Sequence, residues 1–188
     1  NALAFPRPLA YNKTDTCVGN FPEREGEGYG AKGEATKKAI RDAALQLFVE
    51  KGFKDVTMSH ICNRTGLSRG GVYGHYAGTG QIFADIIQEI MGDLESGVEE
   101  KMQSGFSATR ILDQLLARCQ GEMLDHGGSL GLAFYEYYSA LPPSADNALL
   151  SQYHASRAIL RRLIQYGIRR GEFESVPVNA VVDLLLFS

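Results

Sequence analysis

Thr57-Met58-Ser59-His60-Ile61-Cys62-Asn63-Arg64-Thr65-Gly66-Leu67-Ser68-Arg69-Gly70-Gly71-Val72-Tyr73-Gly74-His75-Tyr76 is the stretch whose reading decides the fold. Thr57 can cap a helix of about eight residues, because its hydroxyl can accept from a free amide of the first turn. Gly66 follows where a left-handed residue is cheapest, and Ser68 can cap a third helix reaching Tyr76. Two short helices joined by a tight glycine turn have the geometry of a helix-turn-helix, in which the first braces the second and the second enters a major groove. Ile61, Leu67, Val72 and Tyr76 are spaced to pack under Leu47 and Phe48. Arg69, Gly70, Tyr73 and His75 then face outward. Arg69 can fork onto guanine or clasp a phosphate, and Tyr73 and His75 offer donors to phosphate oxygens. Gly70 and Gly71 remove bulk where the helix tip would meet base edges, at a cost of roughly 1 kcal/mol each relative to Ala. A helical hairpin inside an ordinary all-α core is the alternative.

Working outward, Ile40, Ala43, Ala44, Leu47 and Phe48 share one helical face, predicting a first helix over 34–51 that Gly52 stops. After Tyr76 a long amphipathic helix carries Ile82, Phe83, Ile86, Ile87, Ile90, Leu94 and Val98. Ile111, Leu112, Leu115, Leu116 and Cys119 line another, which Gly127-Gly128 breaks. Leu132 to Ser139 form an aromatic-rich helix ended by Pro142-Pro143. Residues 146–170 form a second long helix, and an apolar run closes the chain after Gly171 and Pro177. No strand pattern competes, so the expected class is all-α. Residues 1–33, rich in Pro, Gly and polar side chains, are expected to be a flexible extension. Residues 34–80 then hold the helix-turn-helix, and 81–188 form a second helical module. The chain opens without a methionine and its last apolar run stops in helical register, so it is expected to continue past Ser188.

The string Ala44, Leu47-Phe48, Gly52-Phe53, Thr57, Ile61-Cys62 and Gly66 through Tyr76 resembles the N-terminal domain of the TetR family, over about residues 36–90. The resemblance implies DNA contacts from Thr57 and Ser59 at the start of the second helix and from Ser68, Arg69, Gly70, Tyr73 and His75 on the recognition helix. Thr57 is open to a second reading as mainly a cap. Where family members usually carry a Lys followed by an acidic residue, opening the fourth helix, this chain has Thr79-Gly80. One phosphate contact is then missing, which implies a shallower salt dependence. The resemblance further implies that residues 34–80 are a DNA-binding domain and 81–188 a ligand-binding and dimerisation domain. It implies a homodimer on near-palindromic double-stranded operator DNA, released when a small-molecule inducer shifts the fourth helix.

The net charge of −3 looks wrong for a DNA binder until it is divided along the chain. Residues 1–31 hold three Lys/Arg against four Asp/Glu, residues 32–80 eight against four, and residues 81–188 eight against fourteen, giving −1, +4 and −6. A basic module joined to an acidic one suits phosphate contact by the first alone. Three separated cysteines with no CxxC pair exclude a disulfide scaffold and a zinc ribbon, and fit a reducing cytoplasm. No run reaches the ~18 apolar residues of a membrane span.

The acidic half carries no catalytic motif. Gly28-Tyr29-Gly30-Ala31-Lys32-Gly33 matches GxGxxG, yet no strand precedes it, so a linker is favoured over a dinucleotide loop. His60, His75, His126 and His154 lack metal-ligand spacing, and no nucleophile elbow supports hydrolysis. Neither enzyme activity, a metal nor a cofactor is expected. Phe134, Tyr135 and Tyr138, with Tyr153, His154, Cys119 and Met123, are the candidate ligand residues. Tyrosine offers an apolar face and a hydroxyl, which suits a small, largely apolar compound. Plain aromatic packing at the interior or a subunit interface is the alternative. At the level of function, the alternative is a ligand-responsive protein–protein interaction module that has lost operator binding.

Overall fold

The computed structural model describes residues 30–124, 130–141 and 148–187. Among these the chain is all-α, with helices α1 (Gly30–Lys51), α2 (Met58–Thr65), α3 (Arg69–Tyr73), α4 (Thr79–Gln103), α5 (Ala108–Leu124), α6 (Leu130–Ala140), α7 (Ala148–Arg169) and α8 (Val178–Phe187). None of these helices is long and apolar enough to cross a membrane.

Helix α1 begins four residues earlier than the apolar periodicity predicts, so Gly30–Gly33 belong to it rather than to an extension. Near this start the Thr36 hydroxyl donates back to the Lys32 carbonyl at 2.8 Å, sparing the helix surface one free hydroxyl. Residues 1–29 lie outside the described part. Gly52 ends α1 at φ +78°, its amide donating to the Phe48 carbonyl at 2.9 Å. Helix α3 is shorter than expected, five residues between Ser68 and Gly74. The turn nevertheless continues, because the amides of His75 and Tyr76 both donate to the Val72 carbonyl.

The chain forms two compact units. Of the described residues, the first contains 30–86 and 130–141, and the second contains 87–124 and 148–187. The grouping differs from the expected break at residue 80, since α6 and the opening turns of α4 pack with the helix-turn-helix.

The core of the first unit is built from Ile40, Ala44, Leu47 and Phe48 of α1, Val56, Ile61 and Cys62, Val72 and Tyr76, and Ile82, Phe83 and Ile86 of α4, all buried. Leu67 is only half-buried; the other residues expected beneath α1 are buried as predicted. An aromatic cluster closes this core. Phe83 meets Phe48 edge-on at 4.9 Å and lies 4.9 Å from Tyr137 and 5.4 Å from Phe134, while Phe53 meets Tyr137 at 5.2 Å. Each such pair adds about 0.5–1.5 kcal/mol beyond area burial, enough to hold α6 firmly.

In the second unit, Val98, Ala108, Ile111, Ile159 and Leu163 form a buried cluster under Met91, Leu94, Met102, Leu112, Leu115, Tyr166 and Phe173. Glu172 receives the start of α5, accepting from the Ser107 hydroxyl at 2.7 Å and the Thr109 amide at 3.2 Å. Its carboxyl is held down at about 2 by the Ser107 bond first, then by Arg170. Helix α8 is tied to α7 through Asp183, which accepts from Arg157 at 2.8 Å and the Tyr153 hydroxyl at 3.2 Å.

Candidate DNA interface

Thr57 caps α2 from an extended backbone conformation (φ −115°, ψ 160°). Its hydroxyl accepts from the His60 amide at 3.3 Å, and its own amide donates to His60 Nδ1 at 3.4 Å. The arrangement is a capping box with histidine where Glu or Gln usually stands. It requires the imidazole tautomer protonated on Nε2, since Nδ1 is used as acceptor. His60 is half-buried and its ring is used by the cap. The sequence signal was available, in a capping Thr with a polar acceptor three residues on.

Gly66 turns the chain at φ +70°. Ser68 then caps α3, its hydroxyl accepting from the Gly71 amide at 3.1 Å. Helix α2 is braced on α1 by Arg64, which pairs with Glu50 at 2.8 Å and also reaches Gln46. That pair depresses the Glu50 carboxyl and raises the Arg64 guanidinium through the same hydrogen bond. No local pattern in the sequence marks it.

Arg69, Gly70 and Tyr73 are exposed, the tyrosine by 48%. Thr57 and Ser68 are also exposed, while Ser59, Gly71, His75 and Thr79 are half-buried. The Arg69 guanidinium donates to the Ser59 hydroxyl at 3.0 Å, so two expected contact residues already meet on one face. A Cβ at Gly70 would meet nothing within 4 Å, and one at Gly71 would make ordinary contacts with the Ser68 hydroxyl at 3.4 Å and the Leu67 Cβ at 3.8 Å. The fold's own packing therefore does not demand glycine at these sites. Thr79 is the first residue of α4. Behind this face, the buried Tyr76 hydroxyl accepts from Arg41 at 3.3 Å, and burial pushes its phenol up.

The expected ligand residues divide between the units. In the first, Phe134 and Tyr138 stack at 6.1 Å and join the aromatic cluster, whereas Tyr135 is 67% exposed. Burial, with Tyr137 alongside, pushes the Tyr138 hydroxyl up to about 12, so it stays a donor. The buried ring of α6 is Tyr137, which was not among the candidates. In the second unit Tyr153 is bonded to Asp183, and its ring meets His154 at 5.5 Å. Cys119 and Met123 lie on α5, but their side chains fall outside the described residues. An open depression of about 430 Å³ in the second unit is lined by Glu99, Met102, Gln103, Arg162, Gln165, Tyr166 and Arg169, none of them a candidate. Among the described residues no three His, Cys, Asp or Glu side chains could hold a metal ion.

Comparison with known proteins bears on this geometry. Residues 40–86 match the model of the bacterial regulatory proteins of the tetR family. The uncharacterized HTH-type transcriptional regulator YfiR of Bacillus subtilis (strain 168) is 30% identical over 150 residues, spanning 76% of this chain and 70% of that protein. The fatty acid degradation regulator FadR of Bacillus halodurans has a similar fold, with a TM-score of 0.64 at 17% identity, over 88% of this chain and 81% of the other. FadR of Bacillus subtilis, solved in complex with stearoyl-CoA, gives a TM-score of 0.60 at 21% identity, over 80% and 81%.

Proposed function

Because the chain belongs to the tetR family of bacterial regulatory proteins, we propose that this transcriptional regulator is a cytoplasmic repressor. It binds a near-palindromic operator as a homodimer and is released by a small-molecule inducer. The observation that carries this reading is the outward face of α3, where Arg69, Gly70 and Tyr73 are exposed and Arg69 reaches across to Ser59 on α2. Arg69 reads a base edge or clasps a phosphate, Ser68 and Tyr73 anchor the backbone, and Thr57, Ser59 and His75 set the register. The glycines at 70 and 71, which packing does not require, let the helix tip approach the bases.

Two copies place two such helices about one DNA turn apart. Pairing through the last helices is supported by Leu184 of α8, 69% exposed, and Leu150 of α7, 47% exposed. The inducer is a small, largely apolar molecule; a FadR relative in fold was solved with stearoyl-CoA, a ligand of that description in its acyl part. The test is retardation of the DNA flanking the protein's own gene, titrated between low and physiological salt. Sequence-selective, salt-sensitive retardation upholds the reading. None at low salt, with the protein folded, overturns it in favour of a protein–protein interaction module.

A further inference from the structure

Glu136 lies on α6, 82 residues along the chain from the loop it touches. Its carboxylate accepts from the backbone amide of Lys54 at 2.9 Å, and the same oxygen would stand 2.7 Å from a Cβ on Gly52. Gly52 is left-handed at φ +78°, a conformation that side chains rarely adopt, so the carboxylate approaches bare backbone there. The carboxylate thus lies against the C-terminal end of α1. The helix dipole disfavours an anion there, by about 0.3–1 kcal/mol at a surface site. Stability alone is a poor reason for an acid in that place.

The loop it holds has little freedom of its own. Between Gly52 and Thr57 lie four residues, of which Phe53 joins the ring of Tyr137 and Val56 is 4% exposed. The Lys54 amide is the backbone point between those two anchors. Three residues later Thr57 begins the capping box that sets the first turn of α2, and Ser59 and Arg69 meet on that turn. Two of these three anchor points, Phe53 and the Lys54 amide, are held by consecutive residues of α6, Tyr137 and Glu136.

We propose that Glu136 is a positioning residue through which α6 sets the cap of α2, and with it the stance of Thr57 and Ser59. The proposal rests on the reading of α2 and α3 as the DNA-contacting face. A displacement of α6 by about 1 Å stretches the bond to Lys54 past useful length, which frees the loop without unfolding the core. A helix that lies within the acidic half of the sequence is then the one that grips the start of the DNA-reading motif.

Glu136→Ala and Glu136→Gln separate this role from plain stability, because glutamine retains an acceptor oxygen. Amide hydrogen exchange in the DNA-free protein is read at Lys54 and His60, alongside affinity for the duplex flanking the gene, well below the melting temperature. The alanine variant is expected to exchange about tenfold faster at both amides and to bind the duplex about tenfold more weakly, the scale of one charge-assisted hydrogen bond. The glutamine variant is expected to stay within about twofold of the parent. Unchanged exchange at His60 in the alanine variant overturns the proposal. So does an alanine variant that exchanges faster yet binds DNA as the parent does. If the parent itself retards no duplex, the DNA reading fails, and exchange at His60 still decides whether Glu136 holds the cap.

Discussion

Arg69 and Ser59 are joined by a 3.0 Å hydrogen bond that links the first turn of the recognition helix to the first turn of its brace. One guanidinium nitrogen is engaged, while the remaining N–H groups of the fork stay available. The bond limits the rotamers of a long, exposed side chain before any partner arrives, so less freedom is lost when a base or phosphate is met.

Arg69→Ala is expected to weaken binding to the flanking duplex by about 1–3 kcal/mol and to relax selectivity at one base pair. Ser59→Ala should have a smaller effect, and the double variant should lose less than the two singles combined. Fluorescence anisotropy on all four proteins measures this coupling. Strict additivity would deny that Ser59 steers Arg69.

Thr57→Ala removes the acceptor for the His60 amide and is expected to cost about 1 kcal/mol in urea unfolding. Thr57→Ser keeps that acceptor and should recover most of the loss. A stability unchanged by alanine would mean that water caps α2 equally well.

Thr79→Lys adds a cation beside the proposed phosphate track, so the plot of log affinity against log salt should steepen by about one unit. The same lysine sits at the positive end of α4, which should lower stability by about 0.3–1 kcal/mol. Tighter binding from a slightly less stable protein is the expected pattern. An unchanged slope removes position 79 from the DNA contacts.

Glu172 carries a pH signature. Its carboxyl is held at about 2 in the folded chain by Ser107 and Arg170, against an ordinary value of 4.5. Between those values the unfolded state binds more protons, so stability is fully present above pH 4.5 and is lost as pH falls toward 2. Glu172→Gln should flatten that part of the melting-temperature profile while leaving other acid-sensitive groups in place. Calorimetry across the acid range checks it.

Gly167→Ala should destabilise the second unit although alanine favours helices. An added Cβ would collide with the Phe173 ring and stand 2.9 Å from the Ala108 Cβ. Overpacking of this kind costs about 1–3 kcal/mol, which exceeds the propensity gain of about 1 kcal/mol. Thermal unfolding of the variant decides which effect wins.

Most of the helices were legible because each rests on local signals: Thr57, Gly66 and Ser68 punctuate the motif, and Ile40 through Phe48 keep a single helical phase. What was not legible depends on partners distant in sequence. The periodicity of α6 does not say which unit it packs with, and Phe134, Tyr137 and Tyr138 rather than Tyr135 turned inward because Phe83 and Phe53 stand on that side. The start of α1 escaped because Gly30 and Gly33 carry no apolar phase. Polar pairs such as Arg64 with Glu50, or Glu136 with Lys54, join groups whose spacing follows no rule.

Residues 130–141 group with the N-terminal helices, and this limits how the protein can be cut and recombined. A headpiece severed at Gly80 and grafted onto a foreign sensor would strip the Phe83 ring from Phe48, and the Phe83 and Tyr137 rings from Phe53. It would also lack the acid that grips Lys54. A chimera that carries its reading head intact must import the α6 segment as well, although more than forty residues separate the two in the gene.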